Sequence, residues 1–139
     1  YTDGACLGNP GPGGWAAIII MNGKQHEISG GAKDTTNNRM EMIAVINALK
    51  KIDLKSKVTI NTDSKYVLNG ITDWVKKWKG NNWLTSSKKQ VKNEDLWKIL
   101  DELSSKHLIN WVWVKGHSGD FFNEKADKIA RNESERFNH

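Results

Sequence analysis

The sequence predicts an α/β fold in which a mixed sheet is flanked by helices. Two features carry this prediction: an opening pair of extended stretches has the pattern of a hairpin, and later strand patterns alternate with helical ones. Helical crossovers allow the later strands to pair in parallel, whereas the hairpin contributes antiparallel strands.

The elements follow one another without repeats or linkers. An apolar, β-branched run at 15–20 begins the hairpin, and after Gly23 a second extended stretch reaches Gly31. Helical spacing then predicts an amphipathic helix that begins near Asn38, with the apolar residues Met42, Val45, Ile46, Leu49 and Ile52. A strand at 57–62 leads to a short helix capped by 63–64 and running to Gly70. A helix at 95–103, a strand at 108–114 and a helix from about 123 to 131 or beyond complete the order.

Length and composition limit the class of protein. We expect 139 residues to form a single domain over 1–139. The longest apolar run, 15–21, is far shorter than the ~20 residues that span a bilayer, and no secretory segment opens the chain. The single cysteine, Cys6, cannot close an intramolecular disulfide, so we expect a cytoplasmic protein with no membrane partner. Only two residues precede Asp3, too few for a full first strand, and we expect further residues before Tyr1.

Positive charge is concentrated in one segment. The net charge is +5, and residues 75–92 hold six lysines and no acidic residue. This segment is either a solvated lysine-rich face or a patch that binds phosphates, because neutralising phosphates releases counterions. Trp74, Trp78 and Trp83 interleave with the lysines and favour the second interpretation, since exposed indoles are costly and packing on a sugar or base would cover them.

Four acidic residues are candidates for chemistry, although each has an ordinary structural explanation: Asp3, Glu41, Asp63 and Asp127. Asp3 and the glycine after it could form a turn, and Glu41 could complete a capping box with Asn38. Asp63 could cap a helix, and Asp127 could pair with Arg131 one turn later.

Their positions favour a shared site. Glu41 lies one turn before Val45, beside the apolar stripe of its helix, and Asp63 ends a strand, where open α/β sheets bind ligands. Carboxylates gathered there would repel one another unless a cation neutralised them, and an all-oxygen cluster suits Mg²⁺. Two such ions could activate a water and stabilise the leaving oxygen of a phosphoryl displacement. The residues alone do not show that the four side chains converge.

Two loops are also informative. The glycine-rich stretch 8–14 is not a Walker A nucleotide loop, because no Gly-Lys-Ser/Thr follows it and the chain continues as a strand. His117 lies in a Gly-His-Ser-Gly loop upstream of Asp127. It is either a surface residue or, beside a phosphoryl-transfer site, a group that shuttles a proton.

Five segments that together span nearly the whole chain resemble bacterial ribonuclease HI. They are Tyr-Thr-Asp-Gly-Ala-Cys-Leu-Gly-Asn-Pro-Gly-Pro-Gly-Gly at 1–14, Thr-Thr-Asn-Asn-Arg-Met-Glu at 35–41, Thr-Asp-Ser at 62–64, Trp-Val-Lys-Gly-His-Ser-Gly at 113–119 and Asn-Glu-Lys-Ala-Asp at 123–127. The resemblance implies a five-stranded mixed sheet and a magnesium-dependent endonuclease, with Mn²⁺ as a possible substitute. Such an enzyme cuts the RNA strand of RNA–DNA hybrids and leaves 5′-phosphate and 3′-hydroxyl ends. We expect a monomer whose partner is the hybrid duplex.

The resemblance also assigns roles to the acidic residues. By analogy, Asp3 bridges two metal ions, and Glu41 and Asp63 hold the ion nearer the leaving group. Asp127 holds the ion that carries the nucleophilic water, and His117 assists proton transfer or product departure.

Substrate contacts follow from the same resemblance. Residues 74–92 match the family's basic protrusion, which grips the DNA strand, and the residues concerned are Trp74, Lys76, Lys77, Trp78, Lys79, Lys88, Lys89 and Lys92. Thr36 and Asn93 match a pocket for a DNA phosphate. The positions that contact the minor groove, where RNA displays its 2′-hydroxyls, are Cys6, Asn9, Asn37, Asn38 and Asn69.

Three positions depart from the family pattern. Lys65 stands where relatives often have glutamine at the groove, and Asp34 stands where an arginine often supports the phosphate pocket. Asp-Phe-Phe at 120–122 replaces a more polar stretch after the histidine loop. We expect the first two to change the affinity for hybrid and the third to change the mobility of the loop.

Two other functions are compatible with parts of the sequence. A noncatalytic module that binds hybrid or duplex RNA would be supported by the basic segment alone, but four intact carboxylates argue against it. An actin-like ATPase shares this sheet topology and an early Asp-Gly loop, but the chain is too short to include a second lobe.

Overall fold

The computed structural model describes residues 1–53, 55–115 and 120–138. Its centre is a five-stranded sheet with the strand order β3-β2-β1-β4-β5. The strands are β1 (Thr2–Cys6), β2 (Gly11–Met21), β3 (Lys24–Thr35), β4 (Lys57–Thr62) and β5 (Leu108–Trp113). The pairs β1/β2 and β2/β3 are antiparallel, whereas β1/β4 and β4/β5 are parallel. The predicted mixed sheet is confirmed.

Five α-helices in the described residues connect and cover the sheet. They are α1 (Asn37–Lys50), α2 (Lys65–Asn69), α3 (Val75–Lys79), α4 (Glu94–Ser105) and α5 (Phe121–Arg136). A π-helical turn, Gly70–Trp74, joins α2 to α3. None of the helices in the described part of the chain has the length and apolar character needed to cross a membrane.

The opening strands are longer than the sequence pattern predicts. β2 begins at Gly11, inside the glycine-rich stretch, and β3 continues to Thr35. Gly13 pairs with Cys6 of β1 on one side and with Ala32 of β3 on the other. Glycine has a low strand propensity, so pairing with strands on both sides is what keeps this stretch extended.

Helices cover both faces of the sheet. Ala17 and Ile19 of β2 pack with Ala48 of α1, whereas a Cβ on Gly14 would lie 2.2 Å from the carbonyl oxygen of Ala130 in α5. Because successive residues of a strand point to opposite faces, α1 and α5 lie on opposite sides of β2. The main core lies on the α1 side, and its fully or nearly fully buried members include Met42, Val45, Leu49, Ile60, Leu96, Trp97 and Leu100.

Candidate active site

The sheet brings Asp3 and Asp63 together. Thr2 of β1 pairs in parallel with Thr62 of β4. The next residue along each strand is an aspartate, so the two aspartates lie side by side at the same edge of the sheet. Asp3 is part of β1, and the turn considered for it from the sequence is therefore wrong.

Helix α1 adds Glu41 to this edge. A Cβ on Gly4 would lie 2.4 Å from the backbone nitrogen of Glu41. The missing side chain therefore lets α1 pack directly on β1, next to Asp3. Glycine is required here because two backbones approach closely.

The ordinary explanations for Glu41 and Asp63 are also wrong. Thr36 caps α1, and its hydroxyl accepts a hydrogen bond at 3.2 Å from a backbone N–H of the first turn, so Glu41 completes no capping box with Asn38. Ser64 caps α2, so Asp63 is not a helix cap. Neither carboxylate caps a helix.

Three carboxylates form a compact group. Oxygen atoms of Asp3, Glu41 and Asp63 all lie within 4.8 Å of one another. Asp3 and Glu41 are only 3% and 5% exposed. Asp127 is not part of this group and forms the predicted ion pair with Arg131, at 3.0 Å. It nevertheless lies close enough for its charge to act on Asp3.

The surroundings of Asp3 and Glu41 disfavour the ionised form of both carboxyl groups. Burial, followed by the charges of Asp63 and Asp127, raises the pKa of Asp3 from 3.8 to about 8. Burial and then the neighbouring charge of Asp3 raise the pKa of Glu41 well above 4.5. Both changes arise because loss of water and nearby negative charge disfavour an ionised carboxyl.

The oxygen donors fit a hard cation. Oδ2 of Asp3 and Oε1 of Glu41 are buried without a hydrogen-bond partner. Buried polar atoms are nearly always paired, and a bound cation would pair these two. Closely spaced carboxylate oxygens are the ligands that Mg²⁺ prefers in proteins. The residues present therefore suit a divalent cation.

The acidic group is distinct from the cavity between β2 and β4. That cavity has a volume of about 530 Å³, and none of the four acidic residues lines it. Asp63 is half-buried, so the group is reached from the protein surface. An open site of this kind can act on a chain or duplex too large to enter a cavity.

Comparison with known proteins decides the family. The sequence profile described as RNase H matches residues 1–135. The chain belongs to the RNase H family. Ribonuclease H of Francisella philomiragia subsp. philomiragia is 59% identical over 130 residues, which cover 94% of this chain and 86% of that protein. Ribonuclease H of Francisella tularensis subsp. novicida is 58% identical over 130 residues, with the same coverage. Membership makes the chain a hydrolytic nuclease and confirms the resemblance found in its motifs.

Solved RNase H structures share the fold. LC9-RNase H1, a type 1 RNase H with the type 2 active-site motif, is 31% identical, with a TM-score of 0.85 over 98% of this chain and 71% of that chain. The PFV RNase H domain in solution is 26% identical, with a TM-score of 0.80 over 98% of this chain and 93% of that chain. The foamy viral protease-reverse transcriptase in complex with an RNA/DNA hybrid is 26% identical, with a TM-score of 0.75 over 96% of this chain and 19% of that chain. The RNase H-like fold is thereby confirmed.

Several positions that match the family's groove contacts meet near the start of α1. Oδ1 of Asn9 accepts a hydrogen bond from the backbone N–H of Asn37 at 3.1 Å. Sγ of Cys6 donates to a carbonyl oxygen at the end of β3, at 3.5 Å. Asn38 follows on α1 and is exposed, whereas the exposed Asn69 lies on another element, at the end of α2. Four of the five predicted contacts are therefore close in space.

Arg39 joins the two residues of the predicted phosphate pocket. Its backbone N–H donates to the Thr36 hydroxyl at 3.2 Å, and its Nη1 donates to Oδ1 of Asn93 at 3.1 Å. The guanidinium also pairs with both carboxylate oxygens of Asp95, at 3.1 and 2.9 Å. Nδ2 of Asn93 donates to the hydroxyl of Tyr66 at 3.0 Å.

Arg39 and Tyr66 are parts of this pocket that the sequence did not indicate. The one feature of the sequence that could have indicated Arg39 was its position inside the motif at 35–41. Its partner Asn93 lies 54 residues away along the chain, so no local pattern links the two.

The lysines of the basic segment are exposed, as predicted: Lys76, Lys77, Lys79, Lys88, Lys89 and Lys92. Two of them pair with acids from outside the segment. Lys77 lies 3.6 Å from Asp73, and Lys79 lies 3.0 Å from Asp101. These exposed pairs are weak, but they lower the free positive charge of the segment.

The tryptophans of the same segment are covered by the protein itself. Trp74 and Trp78 are half-buried against the core, with ring centroids 6.1 Å apart. Trp78 also packs 5.7 Å from the ring of Trp97, which is fully buried, and Trp83 lies 6.4 Å from Trp78. Because an internal aromatic cluster covers these indoles, their presence in the segment does not favour a phosphate-binding patch over a solvated lysine-rich face. Their contact with substrate stays a prediction.

His117 belongs to residues 116–119, which lie outside the described part of the chain. Its role in proton transfer or product departure stays a prediction.

Proposed function

We propose that the chain is a magnesium-dependent endonuclease that hydrolyses the RNA strand of RNA–DNA hybrids. The observation that carries the proposal is the group of buried Asp3 and Glu41 with half-buried Asp63, whose oxygens lie within 4.8 Å of one another on an RNase H fold. A structural neighbour, the foamy viral protease-reverse transcriptase, is known in complex with an RNA/DNA hybrid. The proposed products have 5′-phosphate and 3′-hydroxyl ends.

The acidic residues would hold two ions, with Mn²⁺ as a possible substitute for Mg²⁺. Asp3 would contact both, Glu41 and Asp63 the one nearer the leaving group, and Asp127 the other. When bound, such ions activate a water and stabilise charge on the leaving oxygen of an in-line displacement.

The protein's own contribution is to fix these oxygens before substrate arrives. Asp3 lies on a central strand, and Glu41 is held on α1 by the close approach at Gly4. A site built on a strand and a helix keeps its geometry better than one built on loops. Arg131, 3.0 Å from Asp127, restrains the carboxylate that would face the attacking water.

Choice of strand would come from two different kinds of contact. The 2′-hydroxyls that mark RNA would be contacted by Cys6, Asn9, Asn37 and Asn38, and Asn69 of α2 would add a further contact. Thr36, Asn93 and the basic segment would bind phosphates of the DNA strand, which positions the duplex without reading its sequence. The cytoplasmic location and the monomeric state stay predictions.

A noncatalytic hybrid-binding protein is the second candidate, because the basic segment alone would account for it. A gel assay that compares hybrid, duplex RNA and duplex DNA, with Mg²⁺ or with EDTA, separates the two. We expect cleavage of the RNA strand of the hybrid alone, and only with Mg²⁺. Binding to hybrid without cleavage in Mg²⁺ or Mn²⁺ would establish the second candidate instead.

A further inference from the structure

Two aromatic rings join the start of β1 to the start of α5. The ring centroids of Tyr1 and Phe122 lie 5.1 Å apart, and Phe121 lies edge-on to Phe122 at 5.2 Å. Phe122 is half-buried, whereas Phe121 is 67% exposed. Centroid distances of about 4.5–7 Å are typical of aromatic pairs that stabilise a contact. Phe122 therefore packs in the interface between β1 and α5, and most of the Phe121 ring faces water.

Each of the two packed rings is fixed to an element that carries an acidic residue. The backbone N–H of Ile18 donates to the carbonyl oxygen of Tyr1 at 2.8 Å, so Tyr1 is held against β2. Asp3 follows two residues later, and residues two apart on an extended chain point to the same face. Asp127 lies on α5, five residues after Phe122. The ring contact therefore links the strand of Asp3 to the helix of Asp127.

A second contact fixes the other half of α5. A Cβ on Gly14 of β2 would lie 2.2 Å from the carbonyl oxygen of Ala130 and 2.5 Å from the backbone nitrogen of Ser134. Ala130 and Ser134 are fully buried, so α5 lies directly on β2 at this point. Asp127 lies between this contact and Phe122. Two contacts, one on each side, therefore set the position of Asp127.

The spacing along α5 shows how strongly Phe122 affects Asp127. At a rise of ~1.5 Å per residue, Ala130 lies ~12 Å along the helix from Phe122 and ~4.5 Å from Asp127. If α5 pivots at Ala130, a shift of ~1 Å at Phe122 moves Asp127 by ~0.4 Å. Distances between a metal ion and its ligands usually vary by only ~0.2 Å. A loose contact at Phe122 would therefore displace Asp127 by more than a metal site tolerates.

We propose that Phe122 is a positioning residue that, by packing on Tyr1, holds Asp127 at the distance from Asp3 that bound ions require. Phe122 acts through the helix and contacts neither ion nor substrate. Arg131, 3.0 Å from Asp127, orients the carboxylate itself, whereas Phe122 sets where the helix places it. The inference deepens the proposed function and rests on it, because it concerns the same acidic residues.

The test compares Phe122→Ala, Asp127→Asn, the double variant and a control, Phe121→Ala. The control removes the same kind of ring from the next position, where it is mostly exposed. Binding of Mn²⁺ to the substrate-free protein is measured by electron paramagnetic resonance, and thermal unfolding in EDTA reports stability. Phe122→Ala should weaken Mn²⁺ binding about tenfold, the low end of the effect of removing a group that orients a metal ligand. Phe121→Ala should bind Mn²⁺ as the wild type does.

Two further variants separate positioning from packing alone. Phe122→Tyr keeps the ring and should bind Mn²⁺ as the wild type does. Phe122→Leu, which keeps an apolar side chain without the ring, replaces Phe122→Ala if that variant does not fold. In the Asp127→Asn background, Phe122→Ala should weaken Mn²⁺ binding no further, because the carboxylate that it positions is gone.

Two results would overturn the proposal. A Phe122→Ala protein that melts at a lower temperature but keeps wild-type affinity for Mn²⁺ would make Phe122 a packing residue only. An equal loss of Mn²⁺ affinity on adding Phe122→Ala to Asp127→Asn would show that the ring does not act through Asp127.

Cleavage measurements keep the result separable from the proposed function. Phe122→Ala should raise the Mg²⁺ concentration for half-maximal cleavage of hybrid by a factor similar to its loss of Mn²⁺ affinity, with KM for hybrid unchanged. A wild type that binds Mn²⁺ but does not cut hybrid would contradict the proposed function alone, since Mn²⁺ binding still tests Phe122. A wild type that binds no Mn²⁺ would overturn both.

Discussion

At the scale of single residues, the sequence pointed to three acidic side chains that lie together in the fold, but it could not measure their separation. The motifs pointed to Asp3, Glu41 and Asp63, and each also had an ordinary explanation that no local pattern could remove. Those explanations fail because Asp3 lies within β1, Thr36 caps α1 and Ser64 caps α2. The Asp127 ion pair with Arg131 was predicted from local spacing and is present.

If these residues hold metal, removing a carboxylate should stop the chemistry and leave substrate binding. We expect Asp3→Asn and Asp63→Asn each to lose nearly all hybrid cleavage in Mg²⁺ while they still bind hybrid in fluorescence anisotropy. Asp53→Asn, at an exposed acidic residue after α1, is the matched control and should keep full activity. Near wild-type turnover in either site variant would reject the assignment.

A loop histidine tests how far the family resemblance extends. We expect His117→Ala to slow turnover by roughly 10²-fold, the typical effect of losing a positioned acid–base group, without abolishing it. Single-turnover and steady-state rates on the same hybrid show whether chemistry or product release is slowed. An unchanged rate in both would make His117 a surface residue.

At the scale of secondary-structure elements, periodicity located the later strands and every helix except α3, which lies in the basic segment where no helix was predicted. The strand predicted at 57–62 has those bounds in β4. Local patterns could not show long-range pairing. β2 starts inside the glycine-rich stretch, and Trp78 of the basic segment packs on Trp97 of α4. Both depend on neighbours that are distant in sequence.

The exposed lysines of the basic segment should act together on duplex binding. The test replaces five of these lysines with alanine: Lys76, Lys77, Lys79, Lys88 and Lys89. We expect the variant to have a higher KM for hybrid and an affinity that depends less on salt concentration. Each lost phosphate contact should lower the log–log slope by about 0.9 for duplex DNA, and hybrid should change by a similar amount.

The ion pairs of Lys77 and Lys79 refine this expectation. Because these two lysines already face Asp73 and Asp101, the other three should account for most of the change in slope. The control is alanine at three exposed lysines at and after the end of α1: Lys50, Lys51 and Lys55. If the control loses as much of the log–log slope of affinity against salt, the effect would come from the overall charge of the protein and not from the basic segment.

At the scale of the whole molecule, we expect the acidic group to lower the stability of the metal-free protein. The pKa of Asp3 in the folded chain is about 8, against an ordinary 3.8. Between these values the folded state binds more protons than the unfolded state, so the free energy of unfolding falls as pH rises and levels off above about 8. The raised pKa of Glu41 acts in the same direction.

Asp3→Asn should remove much of this pH dependence. In EDTA, we expect the free energy of unfolding of the variant to rise relative to that of the wild type as pH rises from 4 towards 8. The expected gain is about 1.4 kcal/mol for each unit by which folding raises the pKa of Asp3. Urea unfolding across this range measures the difference, with Asp53→Asn as the control. A constant difference across the range would mean that Asp3 titrates normally in the folded protein.

The most direct test of the metal-site account is the effect of Mg²⁺ on thermal unfolding at neutral pH. Melting curves are recorded for the wild type and for Asp3→Asn, first in EDTA and then in excess Mg²⁺. In EDTA, Asp3→Asn should melt at the higher temperature, because the folded wild-type protein must keep Asp3 protonated at a pH where the unfolded chain releases that proton. Mg²⁺ should then raise the melting temperature of the wild type more than that of the variant, since a ligand that binds only the folded state stabilises it. An Asp3→Asn protein that melts below the wild type in EDTA, with equal small responses of both to Mg²⁺, would contradict the account and make Asp3 a structural hydrogen-bonding residue.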